Sequence, residues 1–235
     1  MKSAVLVIAL TLSCSVAAFA GACQNTTYDQ YLGSGFNCTI SDQTYSDFGY
    51  VGTSNPPGFN IPAGSINVTP LSSGPFGPGI QFSAGWLAST VTGVLEQDSL
   101  FEFTVNSNTP ITDLTLAISG ASFQGTGEII VSEDACLGGT FSGGACSSGH
   151  TVSLSVFDDS AGSQLQDTVS FTGVNEVSVE KDLTVAAGTN GQASVSVLSD
   201  NFSEGTSTVP EPGTLSMLGL GGVALFGFAR RKLNL

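Results

Sequence analysis

The residues able to do chemistry in this chain are few. His150 is its single histidine. Set beside Ser147 or Ser148 and an acid such as Glu133 or Asp134, it would complete a hydrolase set, in which imidazole takes the serine proton and a carboxylate holds the imidazole in place. Nothing around those serines resembles a nucleophile elbow, and a surface histidine beside a Gly/Ser-rich loop is the simpler reading. Glycoside hydrolysis needs two carboxyls roughly 5–10 Å apart in a cleft. The chain has 19 acidic residues, so candidate pairs are too numerous to inform. Asp158-Asp159 reads as a turn, where short acids bond nearby backbone. Glu133-Asp134 leads into Cys136. Calcium at either pair is the alternative to having no cofactor, but the D-x-D-x-D-G loop is missing. Trp86, Tyr45, Phe48 and Tyr50 would suit a sugar platform if exposed, yet bulky aromatics more often fill a core.

Cysteine chemistry is better defined. Cys14 lies in an apolar leader, which leaves Cys23, Cys38, Cys136 and Cys146. An even count behind such a leader implies two disulfides. Three pairings exist; Cys23–Cys38 and Cys136–Cys146 each close a short local loop and are favoured. Zinc fails on spacing, because no Cys-x-x-Cys occurs and one histidine is too few. No metal site is expected.

Charge narrows the partners. Between residues 21 and 209, one lysine, Lys181, stands against eighteen acids, a net charge of −17. That excludes nucleic acid and anionic lipid head groups as partners, since both require basic patches.

The elements that must position these residues are strands. Leu100, Phe101, Phe103 and Val105 alternate with polar residues, as do Leu114, Leu116 and Ile118. Val152, Leu154 and Val156 repeat the pattern, and so do Ala193, Val195 and Val197. A period of two marks strands with one dry face. Gly/Pro clusters such as Asn55-Pro56-Pro57-Gly58 and Gly74 to Gly79 stop helices. Trp86 to Val94 is a further candidate strand, and Thr151 to Thr172 a candidate hairpin. The expected fold is all-β: an antiparallel, jelly-roll-like sandwich of about ten to twelve strands.

Both ends differ from this middle. Met1-Lys2, the apolar run Ala4 to Val16, and Ala18-Phe19-Ala20 before Gly21 form a signal peptide, with cleavage between Ala20 and Gly21 and export by the Sec machinery. A lipobox-like reading of Leu12-Ser13-Cys14 is weaker, because the apolar segment continues past it. The C-terminal end reads Val209-Pro210-Glu211-Pro212-Gly213, an uncharged run from Thr214 to Ala229, then Arg230-Arg231-Lys232. As a helix the run would be about 24 Å long, workable for a membrane with local thinning. The basic triplet would stop transfer and face the cytoplasm. The expected divisions are 1–20 signal peptide, 21–199 β-domain, 200–208 polar linker and 209–235 sorting signal.

Val209-Pro210-Glu211-Pro212, the short apolar segment and Arg230-Arg231-Lys232 resemble the PEP-CTERM sorting signal of Gram-negative bacteria. The likeness covers the last 27 of 235 residues. It implies processing near the motif by an exosortase-type membrane enzyme, transient anchoring in the inner membrane, and a destination at the cell surface or in the extracellular matrix, in association with exopolysaccharide. The expectation is a non-enzymatic exported protein. The alternative is a calcium-dependent carbohydrate-binding or adhesive module, ahead of a secreted hydrolase. An ice-binding surface would need a regular Thr-x-Thr array, which the chain lacks.

Overall fold

The computed structural model describes residues 20–205. Apart from Ala20, the expected signal peptide (1–20) and the whole sorting signal, from Val209 through the basic triplet, lie outside them. Among the described residues no helix is long and apolar enough to cross a membrane.

Fifteen strands follow one another: β1 Gly21–Ala22, β2 Thr26–Thr27, β3 Asn37–Ile40, β4 Gln43–Asn55, β5 Asn67–Leu71, β6 Gly79–Ser89, β7 Glu96–Ser119, β8 Ser122–Gly125, β9 Glu128–Leu137, β10 Thr140–Ser142, β11 Ala145–Ser147, β12 His150–Asp159, β13 Gly162–Gln164, β14 Gln166–Ala186 and β15 Gly191–Glu204. Two single-turn 3-10 helices, Tyr28–Gln30 and Ala63–Ser65, complete the described secondary structure. The count exceeds ten to twelve because β1, β2, β10, β11 and β13 have two or three residues each, too few to show alternation. In the other direction, the patterns at Leu100–Val105 and Leu114–Ile118 belong to the single strand β7.

All pairings are antiparallel except β1 with β3. Thirteen strands form one hydrogen-bonded sheet that folds over itself into two layers. The first layer runs β3, β4, the first half of β7, the second half of β14, β9, β12 and β13. The second layer takes the other halves of β14 and β7, then β15, β6, β5 and β2. The long strands β7 and β14 therefore belong to both layers. They bend together where their register slips, between Ser170 and Glu176. Pro110, which has no N–H to give a ladder, sits at the bend. Gly173 faces it, and a Cβ on Gly173 would lie 2.8 Å from the Pro110 ring. The result is an antiparallel β-sandwich.

Alternation explains the core. Ile129, Val131, Ala135 and Leu137 of β9 and Val177, Val179, Leu183 and Val185 of β14 all point between the layers. Trp86 is wholly buried, and its Nε1–H donates to Ser99 Oγ at 3.0 Å. Tyr45 is equally buried and donates to Gln43 Oε1 at 2.8 Å. Phe48 and Tyr50 pack edge-on around the buried Tyr28 ring. Trp86 and Tyr45 are core, and Phe48 and Tyr50 are half-buried against it, so the four do not form an exposed sugar platform. β15 runs to Glu204, five residues into the stretch expected to be a polar linker. Phe202 is buried and the backbone there pairs with both β6 and β7, which makes residues 200–204 part of the fold.

Candidate functional site

The disulfides join Cys23 to Cys38 and Cys136 to Cys146. The second ties the small β10–β11 hairpin to the end of β9, and the hairpin lies against the outer face of the first layer. There Thr104 of β7 and Ser178 of β14 share a 2.7 Å hydrogen bond and are nearly covered.

Beside the hairpin opens a groove of about 610 Å³. Glu102 and Thr104 of β7 and Ser178 and Glu180 of β14 line it, with Phe141 of the hairpin and Asp47. Asp47 sits at a bulge of β4 with φ 55°, between Ser46 and Gly49. Glu102, Glu180 and Asp134 are direct partners across β7, β14 and β9. Like charges face one another along this row, an arrangement that destabilises a sheet. Partial burial, then the charges of Glu102 and Asp134, raise the Glu180 carboxyl above its ordinary value. The groove is thus lined mainly by carboxylates and hydroxyls, with Phe141 of the hairpin at its side and the backbone positions of Phe103 and Val179 in its floor.

The residues considered for hydrolysis are not brought together. Ser147 Oγ donates to the Thr140 carbonyl at 2.7 Å. Ser148 occupies a left-handed turn with φ 67°. His150 pairs with Leu137 at the exposed start of β12, three residues from the Ser153 that faces Asp134. Asp134 Oδ1 accepts from Ser153 Oγ. Glu133, the next residue, points the other way into the core.

Nor do the acid pairs converge. Asp159 Oδ1 accepts the backbone N–H groups of Ala161 and Gly162, closing the β12–β13 turn. Glu133 and Asp134 face opposite sides of β9 and cannot share one cation. Among the described residues no group of three or more His, Cys, Asp and Glu side chains is placed to hold a metal ion.

Sequence reasoning missed the inward charges. Lys181 is wholly buried on β14, and Glu133 of β9 and Asp200 of β15 are wholly buried around it. Lys181 Nζ contacts Asp200 Oδ2 directly and lies 3.0 Å from Glu133 Oε2. The latter approach has ion-pair distance but not hydrogen-bond geometry, so Glu133 Oε1 and Oε2 and Asp200 Oδ1 have no hydrogen-bond partner. The signal was in the alternation: Lys181 takes an inward position between Val179 and Leu183, Glu133 one between Val131 and Ala135, and Asp200 one between Leu198 and Phe202.

Comparison with known proteins adds the following. The PEP-CTERM protein-sorting motif matches residues 208–232. No curated protein matches the chain. Among solved structures, a carbohydrate-binding module (TmCBM61) in complex with β-1,4-galactotriose aligns over 77% of this chain and 100% of its own, at 7% identity and TM-score 0.32. The family 32 carbohydrate-binding module of C. perfringens NanJ, in complex with galactose, aligns over 64% of this chain and 100% of its own, at 14% identity and TM-score 0.21. The enzymatically active domain of bacteriophage CBA120 tailspike protein 4 aligns over 70% and 20%, at 17% identity and TM-score 0.25. These likenesses are too slight to bear on function. The sorting motif is the informative match, and with it the chain is an exported protein that carries a C-terminal PEP-CTERM sorting signal behind an antiparallel β-sandwich.

Proposed function

We propose that this protein is a non-enzymatic component of the cell surface or extracellular matrix. It is exported through the Sec machinery, held at the inner membrane by its C-terminal segment, and released or transferred when an exosortase-type enzyme acts near Val209-Pro210-Glu211-Pro212. The observation that carries the reading is the sorting motif over residues 208–232, directly behind the last strand of the sandwich. The scattered placement of His150, Ser147 and Asp134 supports a domain without a hydrolytic centre. Replacing Pro210-Glu211-Pro212 by alanines in the native host should leave membrane insertion intact and abolish the processed form on immunoblots. Normal processing of that variant would sink the assignment.

The groove supports a finer reading, contact with extracellular polysaccharide. Its carboxylates and hydroxyls offer acceptors and donors to a hydroxyl-rich polymer, and Phe141 offers an apolar edge. This needs no calcium, and the absence of any calcium-induced rise in melting temperature would favour it over the calcium-dependent module. Co-sedimentation with the host's own exopolysaccharide tests it directly. Equal pelleting of the wild type and of a Phe141→Ala, Glu102→Gln double variant would remove the groove from the account.

A further inference from the structure

The interior holds an amine, a carboxyl and a second carboxyl in contact, in a place where none of the three is needed for packing. Lys181 and Glu133 are direct partners on neighbouring strands of the first layer. Asp200 reaches them from the second layer, where its backbone lies between Ile80 and Leu116. All three side chains are fully excluded from solvent. The Phe82 and Phe103 rings flank the ammonium, with centroids 5.7 and 5.5 Å from Nζ. Apolar residues of similar size would fill the space at least as well, because a buried ion group gains little over good packing. As an ionic cluster the group is also poorly satisfied, with three carboxylate oxygens lacking a hydrogen-bond partner.

We propose that Lys181 and Asp200 condense into an intramolecular isopeptide bond, Nζ to Cγ, with Glu133 as the proton shuttle. This goes beyond the surface-component reading and does not depend on it. The step balances without any added reagent. Within the ion pair, a proton passes from the Lys181 ammonium to the Asp200 carboxylate, which leaves an amine against a carboxylic acid. The amine lone pair attacks Asp200 Cγ and forms the new bond. Glu133 gives its proton to the departing hydroxyl and takes one from the attacking nitrogen. The ammonium and the carboxylate have become one amide and one water, and Glu133 ends as it began.

The surroundings favour each stage. Burial first, and the Asp200 charge second, hold the Glu133 carboxyl well above the ordinary carboxylate range against the opposing pull of Lys181, so it starts with a proton to give. Burial works against the Lys181 ammonium, but its pKa is raised overall, chiefly by the Asp200 charge in direct contact with it, so the reaction starts from the Lys181–Asp200 ion pair. Fixed contact replaces a bimolecular encounter, an advantage that reaches roughly 10⁵–10⁸ M in effective concentration. Exclusion of water removes the reagent for the reverse reaction. The amide would join β14 to β15 and so tie one layer of the sandwich to the other.

The composition provides an unusually clean test. Lys181 is the only lysine or arginine between Gly21 and the basic tail. Trypsin should therefore cut the denatured, reduced mature protein after Lys181 only if its amine is free. The expected result for the full exported protein is no cut at Lys181 and an intact mass lighter by one water than the reduced sequence. Asp200→Asn should reach the same product mass by losing ammonia instead. Asp200→Ala should restore full cleavage. An uncut Glu133→Gln variant would overturn the role given to Glu133. A wild-type mass with no water lost, together with cleavage at Lys181, would overturn the bond itself; both readings come from the wild type and do not depend on any variant folding.

Discussion

Two clusters of charged side chains lie back to back on β9 and β14, the outer completed by Glu102 of β7 and the inner by Asp200 of β15. On the outer face of the first layer, Asp134 and Glu180 meet water beside Glu102. On the inner face, Glu133 and Lys181, each one residue away in sequence, are excluded from solvent together with Asp200, and the Phe82 and Phe103 rings flank the lysine. Glu133 and Asp134, and Glu180 and Lys181, are neighbours in sequence, and the pleat sends them to opposite faces. Outside, a carboxylate keeps its solvation and repels its neighbours mildly. Inside, it must share a proton, pair or react. The contrast shows that adjacency in sequence says little about an acid's chemistry until the face it occupies is known.

Breaking the inner cluster should have the largest effect. Lys181→Met removes the amine partner of Asp200, leaves two carboxyls buried with nothing to pair or react with, and should destabilise the domain by about 3–5 kcal/mol in urea unfolding. Adding Glu133→Leu and Asp200→Leu should recover the part of that loss that comes from the buried carboxyls, but not the part that comes from the missing crosslink. A Lys181→Met variant within about 1 kcal/mol of wild type would mean that the inner and outer clusters differ less than their burial implies. Next in size is the support of the outer face. Cys136→Ala with Cys146→Ala should cost about 2–4 kcal/mol, and should loosen the hairpin beside the groove.

A smaller effect follows from pH. The Glu180, Asp182 and Glu204 carboxyls are raised mainly by burial, and Glu96 mainly by the Asp98 charge. Groups with raised values bind more protons folded than unfolded. Stability should therefore rise as pH is lowered from neutral towards the ordinary carboxylate range near about 4, and level off below it. Exposed Asp29, held low by the Thr27 hydroxyl, acts in the opposite sense over a lower window. Denaturant midpoints at constant ionic strength decide the matter; a lower midpoint at pH 5 than at pH 7 would contradict it. Smallest of all, Glu180→Gln relieves the like-charge row and should stabilise by about 0.2–1 kcal/mol. The same variant should weaken polysaccharide pelleting if the groove makes the contact.

The all-β class was legible because alternation is a local signal, clear at Phe101-Phe103-Val105 and Val152-Leu154-Val156. The layering was not. It depends on β7 and β14 bending together at Pro110 and Gly173, and a proline in a turn-rich chain does not announce a strand that continues past it. The inner cluster was half legible. Lys181 stands at an inward position of a clean alternating run, which is visible in one dimension. Its partners come from β9 and β15, and no local pattern specifies which strands will be neighbours. The length of β15 was misjudged because Ser199 to Glu204 is polar in composition, while Asp200 and Phe202 are buried by pairing on both sides. The groove was invisible in sequence, since it needs a hairpin folded over a sheet face.

The position of β15 bears on how a tethered domain meets mechanical force. The segment that carries the sorting signal follows directly from its last residues, and β15 lies inside the second layer between β6 and β7. A pull on that end acts along the strand, against two ladders at once. Such a shear must rupture many hydrogen bonds together, whereas a strand at an edge would peel one bond at a time. While the tail is held at the membrane, drag on the domain is thus met by an interior strand of its layer and not by an edge.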